Sequence, residues 1–162
     1  MVNLIVNISD RKWLDLLPSV EKDAKEVAIK AFDYLKYEQE KPITLNLELS
    51  NDDEITYLNK QYRGREQPTN VLSFACIDDE EFEETVKLFD EIELGDIIIS
   101  IDTMQREAES QEIPLRNHFF HLFIHGILHL LGYDHIYNED AEKMENLETN
   151  ILKLFNIKNP YE

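Results

Sequence analysis

An α+β (mixed α/β) domain is the fold class this sequence predicts: a four-stranded sheet, a central histidine-bearing helix packed on it, and further helices around them. Three observations carry the expectation. Four short segments have the apolar patterning of strands, and the stretches between and after them repeat apolar residues at helical spacing. The order runs strand, helix, strand, helix, two strands, three helices, which stacks helices on a sheet. With 43% hydrophobic residues in 162, the chain can bury one real core, so residues 1–162 are expected to form a single domain.

The elements follow in order. Leu4 to Ile8 reads as the first strand, and Val20, Ala24, Val27, Ala28, Ala31, Phe32 and Leu35 form the apolar stripe of an amphipathic helix. Ile43 to Leu49 sends Ile43, Leu45, Leu47 and Leu49 to one side, the period of a half-buried strand. Ser50 stands where the next helix is capped, with Asp53 in the capping-box position, and that helix delivers Tyr62 and Arg63 at its end. Val71 to Cys76 and Asp96 to Ile101 read as strands three and four. Between them, Asp78 to Glu93 holds nine acidic residues against Lys87 alone and reads as a solvated connection. Asp102 caps a helix to about Ser110, Pro114 opens the histidine helix, and Asn138 opens a last helix to about Phe155.

Composition narrows the function classes. The first residues lack a basic start and a long apolar run, and no segment approaches a membrane span, so a cytoplasmic protein is expected. Cys76 is the only cysteine, which precludes an internal disulfide and reads as a small packed residue. The net charge of −18 opposes a surface built to hold a polyanion, although Asn59 to Cys76 carries Lys60, Arg63 and Arg65 against Glu66.

The histidines carry the chemistry. His118, His121, His125 and His129 lie on one stripe of an otherwise apolar helix, and Gly132 turns the chain toward His135. Residues four apart share a helix face, so His125 and His129 can reach one ion together, and a glycine that accepts the left-handed conformation can bring back a third ligand. Three imidazoles with one position left for water make a catalytic zinc site. A lone histidine on such a helix is ordinarily a core residue, which is how His118 reads.

The run His125-Gly126-Ile127-Leu128-His129-Leu130-Leu131-Gly132-Tyr133-Asp134-His135 is the long zincin pattern H-E-x-x-H-x-x-G-x-x-H with Gly126 replacing the glutamate. Without that residue, peptide hydrolysis lacks its usual general base. Two readings of Gly126 stand open: space beside the metal, or a close helix-to-strand contact.

The same string resembles the signature of the YbeY family of bacterial metal-dependent endoribonucleases, which act in ribosomal RNA maturation. Leu58-Asn59-Lys60-Gln61-Tyr62-Arg63 with Pro68-Thr69-Asn70-Val71-Leu72-Ser73-Phe74 resembles that family's second motif, and Leu94-Gly95-Asp96-Ile97-Ile98-Ile99 its third. The likeness runs from about residue 45 to residue 150. Ala75 stands where family members usually have proline.

The resemblance implies a small mixed sheet with helices around it and a cleft beside one Zn2+ held by His125, His129 and His135. It further implies a single-strand-specific endoribonuclease for 16S ribosomal RNA 3′-end maturation and ribosome quality control. Precursor ribosomal RNA and the small ribosomal subunit are the expected partners, with ribosomal or assembly proteins beside them, and neither membrane nor DNA is expected. Arg63 falls on the family's functional arginine, and a guanidinium fork suits phosphodiester oxygens; the alternative is a surface arginine paired with an acidic neighbour. His121 reads as an acid toward substrate, as a residue orienting a ligand, or as one that simply packs. Asn70 and Ser73 line the cleft or pack the strand, and Asp134 holds an imidazole or makes the turn. The general base stays open among activated water, a second water and the RNA 2′-hydroxyl. Two other classes remain: a divergent metallopeptidase, favoured by the zincin spacing, and a non-catalytic assembly factor, favoured by the acidic surface.

Overall fold

Apolar alternation decides which side of the sheet receives the helices. In the computed structural model, which describes residues 1–37 and 39–162, the strands are β1 (Val2–Ile8), β2 (Ile43–Ser50), β3 (Val71–Ala75) and β4 (Ile92–Ser100). The helices are α1 (Lys12–Leu16), α2 (Val20–Tyr34), α3 (Asp52–Arg63), α4 (Phe82–Leu88), α5 (Ile101–Gln111), α6 (Leu115–Leu130) and α7 (Asn138–Lys153). The sheet order is β1-β2-β4-β3, with β1, β2 and β4 parallel and β3 antiparallel to β4. Register aligns Val6, Leu47 and Ile97 in one row and Ile8, Leu49 and Ile99 in the next, so one face is continuously apolar. That face packs with α6 and α2 around Trp13, Phe119, Phe120 and Phe123, all buried. Ile55 of α3 covers Leu72 and Ile98 on the other face as a second, smaller cluster.

Two glycines set how tightly the cleft-forming parts approach. The β2–β4 register slips between Thr44 and Leu45, whose partners are Glu93 and Gly95, leaving Leu94 as a bulge. Gly95 has φ +134°, and a Cβ there would stand 2.0 Å from the Phe74 carbonyl oxygen, so only glycine lets β3 lie this close. At Gly126 a Cβ would stand 2.9 Å from Cγ2 of Ile97. The glycine therefore serves the close contact between α6 and β4, which decides between the two readings of its role.

Several local expectations shift. Ser50 stays in β2, paired with Ser100, and Asn51 caps α3 by accepting the Glu54 amide at 3.0 Å. Ser100, not Asp102, caps α5; Asp102 lies in the first turn, where it binds Lys12 Nζ at 2.6 Å and the Asp52 amide at 3.0 Å. The acidic connection is partly ordered: Phe82 and Val86, one turn apart, pack α4 on the core, Lys41 donates to the carbonyls of Val86 and Phe89, and β4 begins at Ile92. Helix α1, too short to show a period, is anchored by Trp13, whose indole donates to the Ser50 carbonyl at 2.8 Å. Among the described residues, no helix is long and apolar enough to cross a membrane.

Candidate metal centre

Helix α6 carries His125 and His129 one turn apart, with ring centroids 4.6 Å and Nε2 atoms 3.0 Å apart. The helix closes with the Tyr133 amide on the Leu128 carbonyl (3.1 Å) and the Gly132 amide on the His129 carbonyl (3.0 Å). Gly132, at φ +95°, reverses the chain and returns His135 to within 5.2 Å of the His129 ring centroid and 5.6 Å of that of His125. One nitrogen from each ring lies within 4.8 Å of the others. Donors about 2.0–2.1 Å from a tetrahedral zinc stand about 3.4 Å apart, so this donor set fits one such ion after small ring adjustments.

The protonation states suit a cation. Burial, then the nearby His125 and His135, lowers the His129 pKa to about 4, so its ring is neutral with a free lone pair at neutral pH. Glu148 of α7 is fully buried and accepts from His125 Nδ1, from His121 Nε2 at 3.2 Å and from the Tyr161 hydroxyl. Burial alone raises a carboxyl pKa, but the bonds from His121, His125 and Tyr161 outweigh it and bring Glu148 down to about 2. Burial and the same carboxylate push the Tyr161 hydroxyl well above its ordinary range. The Glu148 carboxylate lies at Nδ1 of His125 and can only accept there, while Nε2 of that ring faces His129.

The three histidines line a cleft of about 390 Å3 together with residues of β3 and Arg63 at the end of α3. Arg63 is the last residue of α3, where Gly64 at φ +70° caps the helix. Its guanidinium donates to the Ser73 carbonyl at 3.1 Å and lies 5.1 Å from the centre of the Phe74 ring. Among the described residues it has no carboxylate partner, so its charge is available in the cleft. Asn70 and Ser73 also line the cleft. Asn70 is held by Glu107 at 3.1 Å, and Glu107 in turn binds Nε2 of the buried His118 at 2.9 Å. Asp134 accepts the Ile136 amide at 3.3 Å, a turn contact.

His121 is brought to Glu148 and Tyr161 rather than into the cleft, and it borders a separate cavity beside Asn117 and Pro160. Asp78, Glu148 and Tyr161 escaped the sequence reading. Asp78 is the one carboxylate among the residues lining the cleft, and it was submerged in the acidic run. Glu148 had a signal: it occupies a core-facing position of α7 together with Met144, Ile151 and Leu152.

Comparison with known proteins agrees with this geometry. The family model described as endoribonuclease YbeY matches residues 7–156. A protein named endoribonuclease YbeY from Paramagnetospirillum magneticum is 38% identical over 160 residues, covering 99% of this chain and 96% of that relative. One of the same name from Francisella tularensis subsp. novicida is 46% identical over 120 residues, covering 72% and 70%. The solution structure of TM1509 from Thermotoga maritima superposes with a TM-score of 0.56 at 25% identity, covering 96% of this chain and 92% of that one. The chain belongs to the endoribonuclease YbeY family.

Proposed function

We propose that residues 1–162 form one zinc-dependent endoribonuclease domain that acts in the cytoplasm on single-stranded precursor ribosomal RNA, with the 3′ end of 16S RNA as target. One observation carries the reading: a single cleft lined by three clustered imidazoles and by a guanidinium that has no carboxylate partner among the described residues. The all-nitrogen donor set favours zinc. A divalent cation bound there supplies Lewis acidity and an activated water.

The chain's own residues divide the remaining work. Arg63 holds the scissile phosphate and offsets charge developing on its nonbridging oxygens, with the Ser73 carbonyl fixing its direction. Asp78, the one carboxylate lining the cleft, takes a proton from the attacking water as the new P–O bond forms and returns it to the leaving ribose oxygen as the old one breaks, the duty for which Gly126 provides no side chain. His121 acts through Glu148 on the ligand set. The −18 charge means that RNA is held mainly at the cleft and through the small ribosomal subunit and its proteins.

The metallopeptidase reading is disfavoured because position 126 is filled by Ile97 and leaves no place for the zincin glutamate. Purified protein incubated with precursor RNA and with an unfolded protein, each with and without chelator, separates the readings. RNA cleavage abolished by chelator, by His129→Ala and by Arg63→Ala is the expected result. Cleavage that survives both substitutions belongs to a contaminant and overturns the proposal, while proteolysis or inertness toward both substrates favours the peptidase or the assembly factor.

A further inference from the structure

Helix α7 buries Met144, Glu148, Ile151 and Leu152, and one of these four is charged. A carboxylate with no solvent exposure is unfavourable unless its oxygens are paired. Both oxygens are paired here. Oε1 accepts from His125 Nδ1, and Oε2 accepts from His121 Nε2 and the Tyr161 hydroxyl. His121 and Tyr161 also lie 3.2 Å from each other, so the pair fixes the carboxylate from the side away from His125.

An apolar side chain would fill this position without three polar neighbours. A ligand imidazole, in contrast, needs a defined tautomer, and an acceptor at one ring nitrogen supplies it. With the proton held at Nδ1, Nε2 of His125 keeps its lone pair and faces His129.

We propose that Glu148, itself held by Tyr161 and His121, is a positioning residue that locks His125 in its Nδ1–H form and thereby sets the affinity of the three-histidine site for a divalent cation. The inference rests on the metal reading above and is independent of which RNA is cut. Its partners come from α6 and from the segment after α7, so the chain beyond residue 157 is coupled to the metal centre. Glu148 carries the negative charge nearest His125, and it touches neither the cleft nor the substrate side of the rings.

The test is zinc affinity of the whole chain, measured by competition with a chromogenic chelator, alongside ring 15N shifts of His125 in the metal-free protein. Wild type is expected to bind one equivalent and to show the Nδ1–H form. Glu148→Gln, which keeps an acceptor but loses the charge, and Glu148→Leu, which loses both, should weaken zinc binding by roughly 10- to 100-fold. Glu148→Leu should also lose the Nδ1–H signature. Tyr161→Phe should weaken binding in the same direction by less, with the fold unchanged by circular dichroism; it carries the test together with Glu148→Gln if Glu148→Leu does not fold. Unchanged zinc affinity in Glu148→Gln and Tyr161→Phe, with wild type binding one equivalent, overturns this role and leaves the metal reading intact. Wild type that binds no zinc overturns both.

Discussion

Substituting alanine at Gly126 isolates the contact that seats the histidine helix on the sheet. The new Cβ meets three atoms of Ile97: Cγ2 at 2.9 Å, Cδ1 at 3.1 Å and Cγ1 at 3.3 Å. Glycine to alanine within a helix gains about 1 kcal/mol of propensity. Overpacking a dense core costs about 1–3 kcal/mol, so Gly126→Ala should be destabilising by about 0–2 kcal/mol on balance. The companion change Ile97→Ala removes all three contacted atoms and costs about 2–5 kcal/mol on its own. In that background Gly126→Ala meets no clash, and its propensity gain of about 1 kcal/mol should appear as net stabilisation. The coupling between the two sites is then about 1–3 kcal/mol. Urea denaturation of the four proteins, with equal slopes, reads it directly. If Gly126→Ala stabilises wild type by the full propensity gain, the close-contact reasoning is wrong. If it abolishes RNA cleavage at unchanged stability, the gap serves the metal after all.

Three further outcomes follow from the same geometry. Arg63→Ala should lower kcat for RNA roughly 10²- to 10³-fold, and Arg63→Lys should recover only part of it because the fork is lost; equal activity of lysine and arginine in single-turnover cleavage would reduce Arg63 to a point charge. Gly95→Ala must push β3 away from β4, and backbone strain alone costs about 1–3 kcal/mol, so a wild-type urea midpoint would contradict the bulge account. Asp52 links α3 to α5 through Thr103 (2.6 Å) and Arg106 (2.8 Å) and to the end of β4 through Ser100 (2.7 Å); burial opposes its charge, but these donors hold its carboxyl below the ordinary 3.8. A folded value below the unfolded one gives stability that is complete above 3.8 and lost as pH falls through the folded value, so the deficit of Asp52→Asn should be largest near pH 7 and shrink toward pH 3. A deficit independent of pH would contradict this.

How much of this was legible in the chain depended on how local each feature is. His125 and His129 announce themselves because one helical turn separates them, and Gly132 because a left-handed turn favours glycine. The strands showed through their alternation. Glu148 reaches His125 from another helix, 23 residues on, and as one of 34 acidic residues it could be singled out only by its place on an apolar stripe. Gly126 was ambiguous because both readings require a missing Cβ, and only the tertiary contact with Ile97 distinguishes them. Phe82 and Val86 were visible at helical spacing, but nine acidic neighbours outweighed them. The cap of α3 moved to Asn51 because Ser50 pairs in the sheet to its last rung, whereas α5 starts directly from the end of β4, so Ser100 both pairs there and caps the helix.

X-ray absorption of the zinc-loaded protein tests the central claim most directly, because it counts the atoms around the metal. One zinc per chain with three imidazole nitrogens and one oxygen at about 2.0–2.1 Å is expected, falling to two imidazoles in His135→Ala. Four protein ligands around the zinc, or a spectrum unchanged by His135→Ala, would contradict an open three-histidine centre facing Arg63.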